Sequence, residues 1–556
     1  MLETDVVVVG AGAGGMTTAI IAAQSGLNVI LVEKSSVFGG TTALSGGAAW
    51  IPNNHLMKTV QVTDTREQAV EYLRNVLGNS FRADKIDAFV DAAPEMLRYM
   101  EEHSEVAFVP MMMPDYHPKL PGATRSRSVQ AKEYDGSRLG ADLHRLRRPL
   151  KELVVFGSLQ VGGADVHPLR KAFRDWRSFL HTTGLVSRFG LQLLRHGRGT
   201  RLVNGNALAG RLLRSALDAG VSLWADAPAQ RLIKLGDRVT GIVVQRGGRE
   251  IEIAARRGVV LASGGFGANP ELRHRFIPLA NNHISMQPSE NIGDGIRMAI
   301  DAGATLSPDN IDNAIYCPIS EVREKDGTLS RFPHIGIDRY MPGSIAVDQA
   351  GNRFVNEAGT YVQFVRAMQE HGLSKAFLIG DRPFIRSYGM GLARPAPYRL
   401  KRWIDNGYLT EAATIGDLAD RIGVGRHSLV QTIEHFNENA RKGVDPEFER
   451  GADALSRYRG DPENRPNPSL APIVRGPFYA ITLLRGDLSS VTGLETDSGG
   501  RVLGPADRPI PGLYAVGVDM NSISRGLYPG GGFSIGPAMT FGYLVGRELS
   551  RISATT

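Results

Sequence analysis

Two glycine-rich stretches stand at opposite ends of this 556-residue chain, and each is suited to chemistry. Near the N-terminus, Asp5-Val-Val-Val-Val9 is a buried parallel strand by composition, and it runs into Gly10-Ala-Gly12-Ala-Gly-Gly15. A small-residue helix follows to Ala23, Gly26 ends it, and Val29–Val32 makes a second strand closed by Glu33. This is the setting in which a GxGxxG turn binds a dinucleotide. The glycines let pyrophosphate reach the helix N-terminus, and Glu33, 21 residues after Gly12, is placed for a ribose hydroxyl. On this reading Gly10, Gly12, Ala13, Gly14, Gly15 and Glu33 contact the cofactor. At the other end, Tyr528-Pro-Gly-Gly-Gly-Phe-Ser-Ile-Gly536 follows an apolar run and precedes a helix. Its glycines leave backbone N–H groups uncovered and let another molecule approach the main chain, with a phenol at its head. The plainer reading of that stretch is a tight loop closing a sheet.

Other segments favour FAD over NAD. Lys34 to Trp50 is a second loop rich in glycine and hydroxyl groups, directly after the ribose-binding strand. It offers Lys34, Gly40, Thr41, Thr42, Ser45, Gly46 and Gly47 to the far half of a long cofactor. Val259-Val-Leu-Ala-Ser-Gly-Gly-Phe-Gly267 is a strand entering a glycine turn, which adds Ala262, Ser263 and Gly264. Gly512-Leu-Tyr-Ala-Val-Gly-Val-Asp519 adds Asp519, and the C-terminal loop adds Ser534 and Ile535. Three distant strand ends converging on one nucleotide suit a flavin, and no second fingerprint serves NAD(P)H.

These pieces resemble the fumarate reductase/succinate dehydrogenase type of flavoprotein, and most closely its 3-ketosteroid dehydrogenase branch. Gly39-Gly-Thr-Thr-Ala-Leu-Ser-Gly-Gly47 and Tyr528-Pro-Gly-Gly-Gly532 carry the likeness most sharply. The resemblance implies an α/β fold: a Rossmann-like FAD-binding domain with an inserted α+β catalytic domain. It also implies 1,2-desaturation of a 3-ketosteroid. Tyr528 and the Gly532 N–H would polarise the C3 ketone, and Tyr361 would remove the C2 proton. Tyr116, in Pro114-Asp-Tyr-His117, would assist Tyr361, and flavin N5 would take the C1 hydride. Tyr316 and Tyr340 compete with Tyr361 for the base. The middle proline of the family loop is Gly531 here, which implies a looser loop. Covalent members use a histidine after the ribose strand, but Ser35 to Trp50 contains no His, Cys or Tyr, which implies non-covalent FAD. Fumarate-type relatives grip a carboxylate with arginines where Tyr528 and Tyr361 stand. A phenol cannot replace that bidentate grip, so an apolar ketone is the better guest.

The elements that must position these residues fall into three parts. Residues 1–278 form the FAD-binding domain, 279–469 a catalytic domain and 470–556 a return to the first. Asp64 to Gly78 reads as a helix capped by Asp64 and Glu67, and Ala83 to Glu102 as a helix interrupted at Pro94. Asn204 starts a helix leading to strand Val221–Trp224. Ile242–Ala255 is a hairpin around Arg246-Gly-Gly-Arg249, and Asn291–Gly295 opens a helix. Pro342–Asp348 with Gly351–Glu357 reads as a second hairpin, and Tyr479–Leu484 as a strand back in the first domain.

Composition excludes several classes. One cysteine, Cys317, rules out an internal disulfide and a cysteine-based zinc site. No lipase-type Ser elbow, zinc-protease His pair or phosphate-binding Lys loop occurs, and the histidines show no metal spacing. No apolar run has the length of a membrane span, and no targeting signal precedes the first strand, so a cytoplasmic location is expected. The net charge of +7 is local: residues 121–205 hold 16 Lys and Arg against 6 Asp and Glu. That argues against nucleic-acid binding by the whole chain. This segment contains apolar pieces flanked by arginine, such as Phe173-Arg-Asp-Trp-Arg-Ser-Phe-Leu180. They could lie peripherally on an anionic membrane, although a solvated helical excursion with locally paired arginines is the favoured expectation. The expected partners are a steroid or other cyclic ketone and an electron acceptor that the sequence does not identify. A smaller cyclic ketone, or desaturation at C4–C5, shares the chemistry. A non-catalytic flavoprotein docking on membranes is the alternative from another class.

Overall fold

The computed structural model describes residues 2–172, 175–278, 283–307, 309–336, 338–396 and 398–552. Phe173 and Arg174, which open the apolar–cationic piece quoted above, lie outside these residues, as does the expected junction at 279–282.

The valine run forms β1 (Leu2–Val9), which feeds α1 (Ala13–Gln24) and returns through β2 (Val29–Val32), parallel to β1. Two helices follow, α2 (Arg66–Leu77) and α3 (Ala83–His103). A long excursion carries α4 (Trp176–His196) before α5 (Asn204–Asp218) leads to β3 (Ser222–Trp224), parallel to β2. Three antiparallel strands come next: β4 (Ala229–Leu235), β5 (Arg238–Arg246) and β6 (Arg249–Leu261). The hairpin expected at Arg246–Arg249 is present, with those two residues paired. The second half of β6 also runs parallel beside β1, so one strand joins the hairpin to the nucleotide-type sheet. The order β3-β2-β1-β6 with helices packed on the sheet is the Rossmann-like half of an α/β fold.

Helix α6 (Asp294–Asp301) precedes a second, mixed region. It contains β7 (Ala314–Arg323), β8 (Leu329–Pro333), β9 (Ser344–Val347), α7 (Tyr361–Glu370), β10 (Lys375–Asp381) and β11 (Phe478–Ser490). The sheet order is β8-β7-β11-β10-β9. Alternate residues of β10 enter opposite cores: Ala376 and Leu378 pack with Phe384 and Tyr408, whereas Phe377 and Ile379 pack with Leu418 and Phe436. The chain returns to the first sheet through β12 (Arg501–Leu503) and β13 (Pro509–Ala515), with β13 parallel to β6. Helix α8 (Ile535–Arg551) then packs on α1.

Four local expectations change. Tyr479–Leu484 is the middle of β11, the central strand of the second sheet, because it pairs with β7 and β10. An apolar run does not state which sheet it joins. The second expected hairpin is reduced to its turn: β9 pairs with β10, and a Val347–Arg353 bridge and an Asp348 N–H to Asn352 O bond link it to the following segment. Thr65, not Asp64, caps α2 by accepting from Gln68 N–H, and Asp64 is taken by Arg127. Pro94 sits inside a continuous α3.

The segment before α7 needs a firm anchor, because its strand pairing is minimal. Glu357 supplies it from a fully buried position. Its carboxylate accepts from Arg353, Arg450 and the Ala346 N–H, and Arg353 also binds Asp445. The two guanidinium groups hold its pKa down to about 2. A depressed carboxylate contributes stability above its ordinary value of 4.5 and loses it as pH falls toward about 2. Glu357→Gln should therefore cost on the order of 3–5 kcal/mol near neutral pH, because it leaves the buried Arg450 without a carboxylate, although Arg353 keeps Asp445. Denaturant midpoints at pH 7 and pH 4 check this, and the deficit should shrink at the lower pH.

Candidate active site

The site is built from three phenols. Tyr116, Tyr361 and Tyr528 come from three separate segments and are almost completely buried. Their ring centroids form a near-equilateral triangle with sides of 5.8, 5.9 and 5.9 Å. Of the competing tyrosines, Tyr316 faces His283, and Tyr340 stands behind the triangle beside Arg339 and Arg459.

Each phenol is held by its backbone. Tyr361 is the first residue of α7, whose N-terminus is closed by a reciprocal Thr360–Gln363 capping box. Tyr116 follows Asp115, a buried carboxylate that accepts from Trp50 Nε1–H, Arg127 and the Thr124 N–H. Tyr528 heads a loop in which the carbonyls of Pro529, Gly531 and Gly532 are engaged. Pro529 O accepts from the Tyr72 hydroxyl at 2.6 Å and the Tyr116 N–H at 2.9 Å. Gly531 O accepts from Ser128 Oγ–H, and Gly532 O from the Trp50 and Gly536 N–H groups. The looseness expected from glycine at 531 is absent. A Cβ there would lie 2.4 Å from Met113 Cε, so a methionine methyl occupies that space. Gly532 has φ +92°, and a Cβ on it would meet Ala48 at 2.5 Å, so no side chain is tolerated. Its N–H and the Ser534 N–H and hydroxyl all approach the Tyr528 oxygen.

Burial raises the pKa of all three phenols. Tyr361 is raised furthest, and its contacts with Tyr116 and Tyr528 push in the same direction. Tyr116 differs. Burial raises its pKa, but Arg459 and then Arg339 pull it down. Arg459 lies 4.6 Å from the rings of both Tyr116 and Tyr340. Arg339 is completely buried and donates to the carbonyls of His334, Glu357 and Gly359 and to the Tyr340 hydroxyl. Among the described residues neither arginine forms a salt bridge. Buried cations ordinarily have a counter-charge; here the phenols of Tyr340, Tyr116 and Tyr361 favour the charge on Arg459, while Tyr340 and the Asp338 carboxylate favour that on Arg339. Sequence reasoning did not single out these arginines or the Tyr72 clamp, because each acts across a long separation.

The cofactor residues gather at the C-terminal ends of β1, β6 and β13. The Cβ directions of the fingerprint glycines separate their roles. Gly10 would collide with Ala262 O at 2.2 Å and Gly15 with Gly10 O at 2.1 Å, so both serve close packing. Gly12 would meet nothing nearer than Thr42 Oγ1 at 3.8 Å, and Gly46 nothing within 4 Å. Open space lies where pyrophosphate approaches, as the fingerprint requires. Gly40 faces Gly12 across that space, while Gly14 and Gly47 pack against backbone. Thr42 Oγ1 accepts from the Ala13 N–H, and Ser45 Oγ–H donates to Thr42 O. Glu33 accepts from the Ala11 and Ser35 N–H groups at 2.9 Å, and each oxygen keeps a lone pair for a ribose hydroxyl. Lys34 is paired with Asp294. Asp519 caps the turn after β6 by accepting from the Ser263 and Gly265 N–H groups. Asn291 bridges Thr41 and Gly264, a connection the sequence did not suggest. Ser534 and Ile535 open α8 beside Tyr528. These residues fit a flavin dinucleotide.

Comparison with known proteins agrees with this architecture. The FAD binding domain family matches residues 5–535. The chain belongs to that family. It is an FAD-dependent oxidoreductase related to the 3-ketosteroid dehydrogenases. A 4-oxocyclohex-2-ene-1-carboxylate 5-dehydrogenase of Sinomonas cyclohexanicum is 38% identical, over 100% of this chain and 95% of its own. A 3-oxosteroid 1-dehydrogenase of Mycolicibacterium smegmatis is 36% identical, over 100% and 98%. The crystal structure of 3-ketosteroid Δ1-dehydrogenase from Sterolibacterium denitrificans with 1,4-androstadiene-3,17-dione superposes with a TM-score of 0.91. It is 36% identical and covers 99% of this chain and 100% of its own.

The arginine–phenol arrangement in this flavoenzyme has a direct test. Arg459→Met should move the ionisation of Tyr116 to higher pH, because a cation that favours phenolate is gone. NMR titration of Cζ-labelled tyrosine reads it. An unmoved Tyr116 titration would contradict the assignment.

Proposed function

We propose that this protein desaturates a cyclic ketone next to its carbonyl, and that a 3-ketosteroid oxidised at C1–C2 is the substrate its relatives favour most. The single observation that carries the chemistry is the triangle of buried phenols beside a backbone N–H. Bound FAD supplies the hydride acceptor, and the absence of His, Cys and Tyr from Ser35–Trp50 supports non-covalent binding. Turnover also needs an electron acceptor from outside the chain.

The residues act on the ketone in two ways. Tyr528 and the Gly532 N–H donate to the C3 oxygen, stabilising the negative charge that develops when the neighbouring C–H loses its proton. Tyr361 receives the C2 proton. A buried phenol is protonated at rest, so it accepts a proton only by giving up its own. Tyr116 is the neighbour able to take that proton once it has itself ionised; burial opposes that ionisation, and Arg459 and Arg339 lower its cost. At an effective dielectric of about 20, a unit charge about 5 Å away is worth on the order of 3 kcal/mol. Tyr361 is thereby restored, Tyr116 ends protonated, and loss of the C1 hydrogen as hydride completes the double bond.

A second reading rests on a separate observation. A cavity of about 560 Å³ adjoins Tyr116 and is lined by Lys119, Arg366, Glu370 and Asp453 as well as Leu120, Val355 and Leu455. The size of this cavity, with the Sinomonas relative, supports a smaller cyclic ketone, and the relative alone supports one that carries a carboxylate.

Tyr528→Phe should lower kcat by roughly 10²–10³-fold with FAD still bound, the usual cost of one oxyanion donor. Near-normal turnover would sink the assigned ketone polarisation. Product NMR with a saturated 3-ketosteroid and with 4-oxocyclohexanecarboxylate separates the two substrate readings and fixes the position of the new double bond.

A further inference from the structure

A second buried polar cluster lies beside Arg339. Ser320 is on β7, His334 directly follows β8, and Asp338 precedes Arg339 in the chain. Ser320, His334, Asp338 and Tyr408 are all buried. His334 Nδ1 lies 2.6 Å from Asp338 Oδ2, and its Nε2 lies 2.8 Å from Ser320 Oγ. Ser320 Oγ is 2.6 Å from the Tyr408 hydroxyl, which accepts from the Leu392 N–H. Serine, histidine and aspartate stand in the order of a hydrolase triad. No substrate reaches this serine, however. A Cβ on Gly391 would lie 2.0 Å from the Tyr408 oxygen and 3.2 Å from both Ser320 Oγ and His334 Cε1, so the space is already filled. The cluster must therefore act through what it holds in place.

One direction of donation satisfies every member. Leu392 N–H donates to the Tyr408 oxygen, Tyr408 O–H to Ser320, Ser320 O–H to His334 Nε2, and His334 Nδ1–H to Asp338. Reversed, the Tyr408 hydroxyl hydrogen would find no acceptor among the described residues. The chain therefore ends on the Asp338 carboxylate and decides which way it faces. Oδ2 accepts from His334 and from the Gly391 N–H at 2.9 Å, and Oδ1 accepts from the Arg339 N–H at 2.8 Å. Burial raises the Asp338 pKa, but His334 and these N–H groups outweigh it and hold the carboxyl below its ordinary value. Asp338 is thus a buried anion adjacent in sequence to a buried cation. Even so, its ion-pair partner among the described residues is His334, not Arg339. The Arg339 guanidinium binds only neutral acceptors, namely the carbonyls of His334, Glu357 and Gly359 and the Tyr340 hydroxyl. In a low-dielectric interior, opposite charges this close attract strongly unless something holds them apart.

We infer that His334 is a positioning residue: its Nδ1–H holds the Asp338 carboxylate off the Arg339 guanidinium, so that the charge of Arg339 stays available to Tyr116. Ser320 and Tyr408 fix the imidazole in the tautomer this requires. The inference rests on the reading that Arg339 favours the Tyr116 phenolate. The ionisable groups acting on Arg339 are Tyr340, Arg459, Cys317 and Asp338, and those acting on Tyr116 are Arg459, Tyr528, Tyr361 and Arg339. Asp338 is the one carboxylate in either set. A direct salt bridge would bring it within about 4 Å of the guanidinium and cancel most of the field that Arg339 exerts on the phenol. Loss of the His334 donor should therefore move the ionisation of Tyr116 to higher pH, although His334 touches neither that phenol nor the ketone.

The test is NMR titration of Cζ-labelled tyrosine in the FAD-loaded enzyme, which needs no ketone and no turnover. His334→Phe keeps a ring in place but removes both nitrogens, and Tyr116 should then ionise about one pH unit higher, the usual effect of cancelling one nearby charge. His334→Asn retains an N–H where Nδ1 stands and should leave Tyr116 close to its wild-type titration. His334→Gln carries its amide at the Nε2 position instead and should behave like His334→Phe, so the Asn–Gln contrast reads the inference if the phenylalanine variant folds poorly. His334→Phe/Asp338→Asn removes the carboxylate as well and should bring the Tyr116 titration back toward wild type, which general loosening of the fold would not do. Arg339→Met is the control and should raise the Tyr116 titration by itself. If Arg339→Met moves Tyr116 while neither His334→Phe nor His334→Gln does, the inference is overturned and the reading of Arg339 stands. A double variant as displaced as the single one overturns it equally. If Arg339→Met leaves Tyr116 unmoved, the reading of Arg339 falls and the inference falls with it.

Discussion

The carbonyls of Pro529, Gly531 and Gly532 are all bound to the first domain, through Tyr72, Tyr116, Ser128 and Trp50. This constraint shapes the site, because a glycine loop with free carbonyls would have many conformations. Tying them down sets the Gly532 N–H against the Tyr528 hydroxyl. The same bonds fix Tyr116, whose own N–H is one of the donors. Behind this layer, Arg127 joins Asp64 and Asp115, all nearly inaccessible to solvent. The site's geometry therefore rests on buried polar groups several residues removed from any reacting atom. Such networks are costly unless every member is satisfied, and here the two carboxylates share one guanidinium and several neutral donors.

The second domain contributes in a different way. It brings Tyr361 at the head of a helix, and it brings two arginines without carboxylate partners. Glu357 and Asp445 together neutralise Arg353 and Arg450, whereas Arg339 and Arg459 form no salt bridge among the described residues. The charge balance thus separates structural cations from those that face the phenols. Burial raises the pKa of Tyr116, and Arg459 and Arg339 offset part of that rise by favouring its phenolate.

Features carried by local pattern were legible in the sequence. The β1–α1–β2 fingerprint, the hairpin at Arg246–Arg249 and the start of α5 at Asn204 depend on residues close together in the chain. The stretches assigned to the cofactor stand out in the sequence because glycine turns at strand ends have a short signature. The fold class was legible, whereas the sheet membership of Tyr479–Leu484 was not, since apolar alternation names a strand but not its neighbour. Asp64 looked like a cap because capping spacing is common. Its real partner, Arg127, is 63 positions away. Arg339 and Arg459 each precede or follow a tyrosine in sequence, at Tyr340 and Tyr458. That adjacency is the one local hint of their surroundings, and it is too common to decode alone.

The central claim is that these phenols make the hydrogen next to a ketone acidic. The most direct measurement isolates that step from oxidation. With the flavin chemically reduced beforehand, a 3-ketosteroid incubated in D2O cannot be dehydrogenated, but it can still exchange the hydrogens beside its carbonyl. NMR should show deuterium entering C2 with the wild-type enzyme, and exchange at the uncatalysed rate with Tyr361→Phe. No C2 exchange with the wild-type enzyme, or undiminished exchange with the variant, would contradict the account.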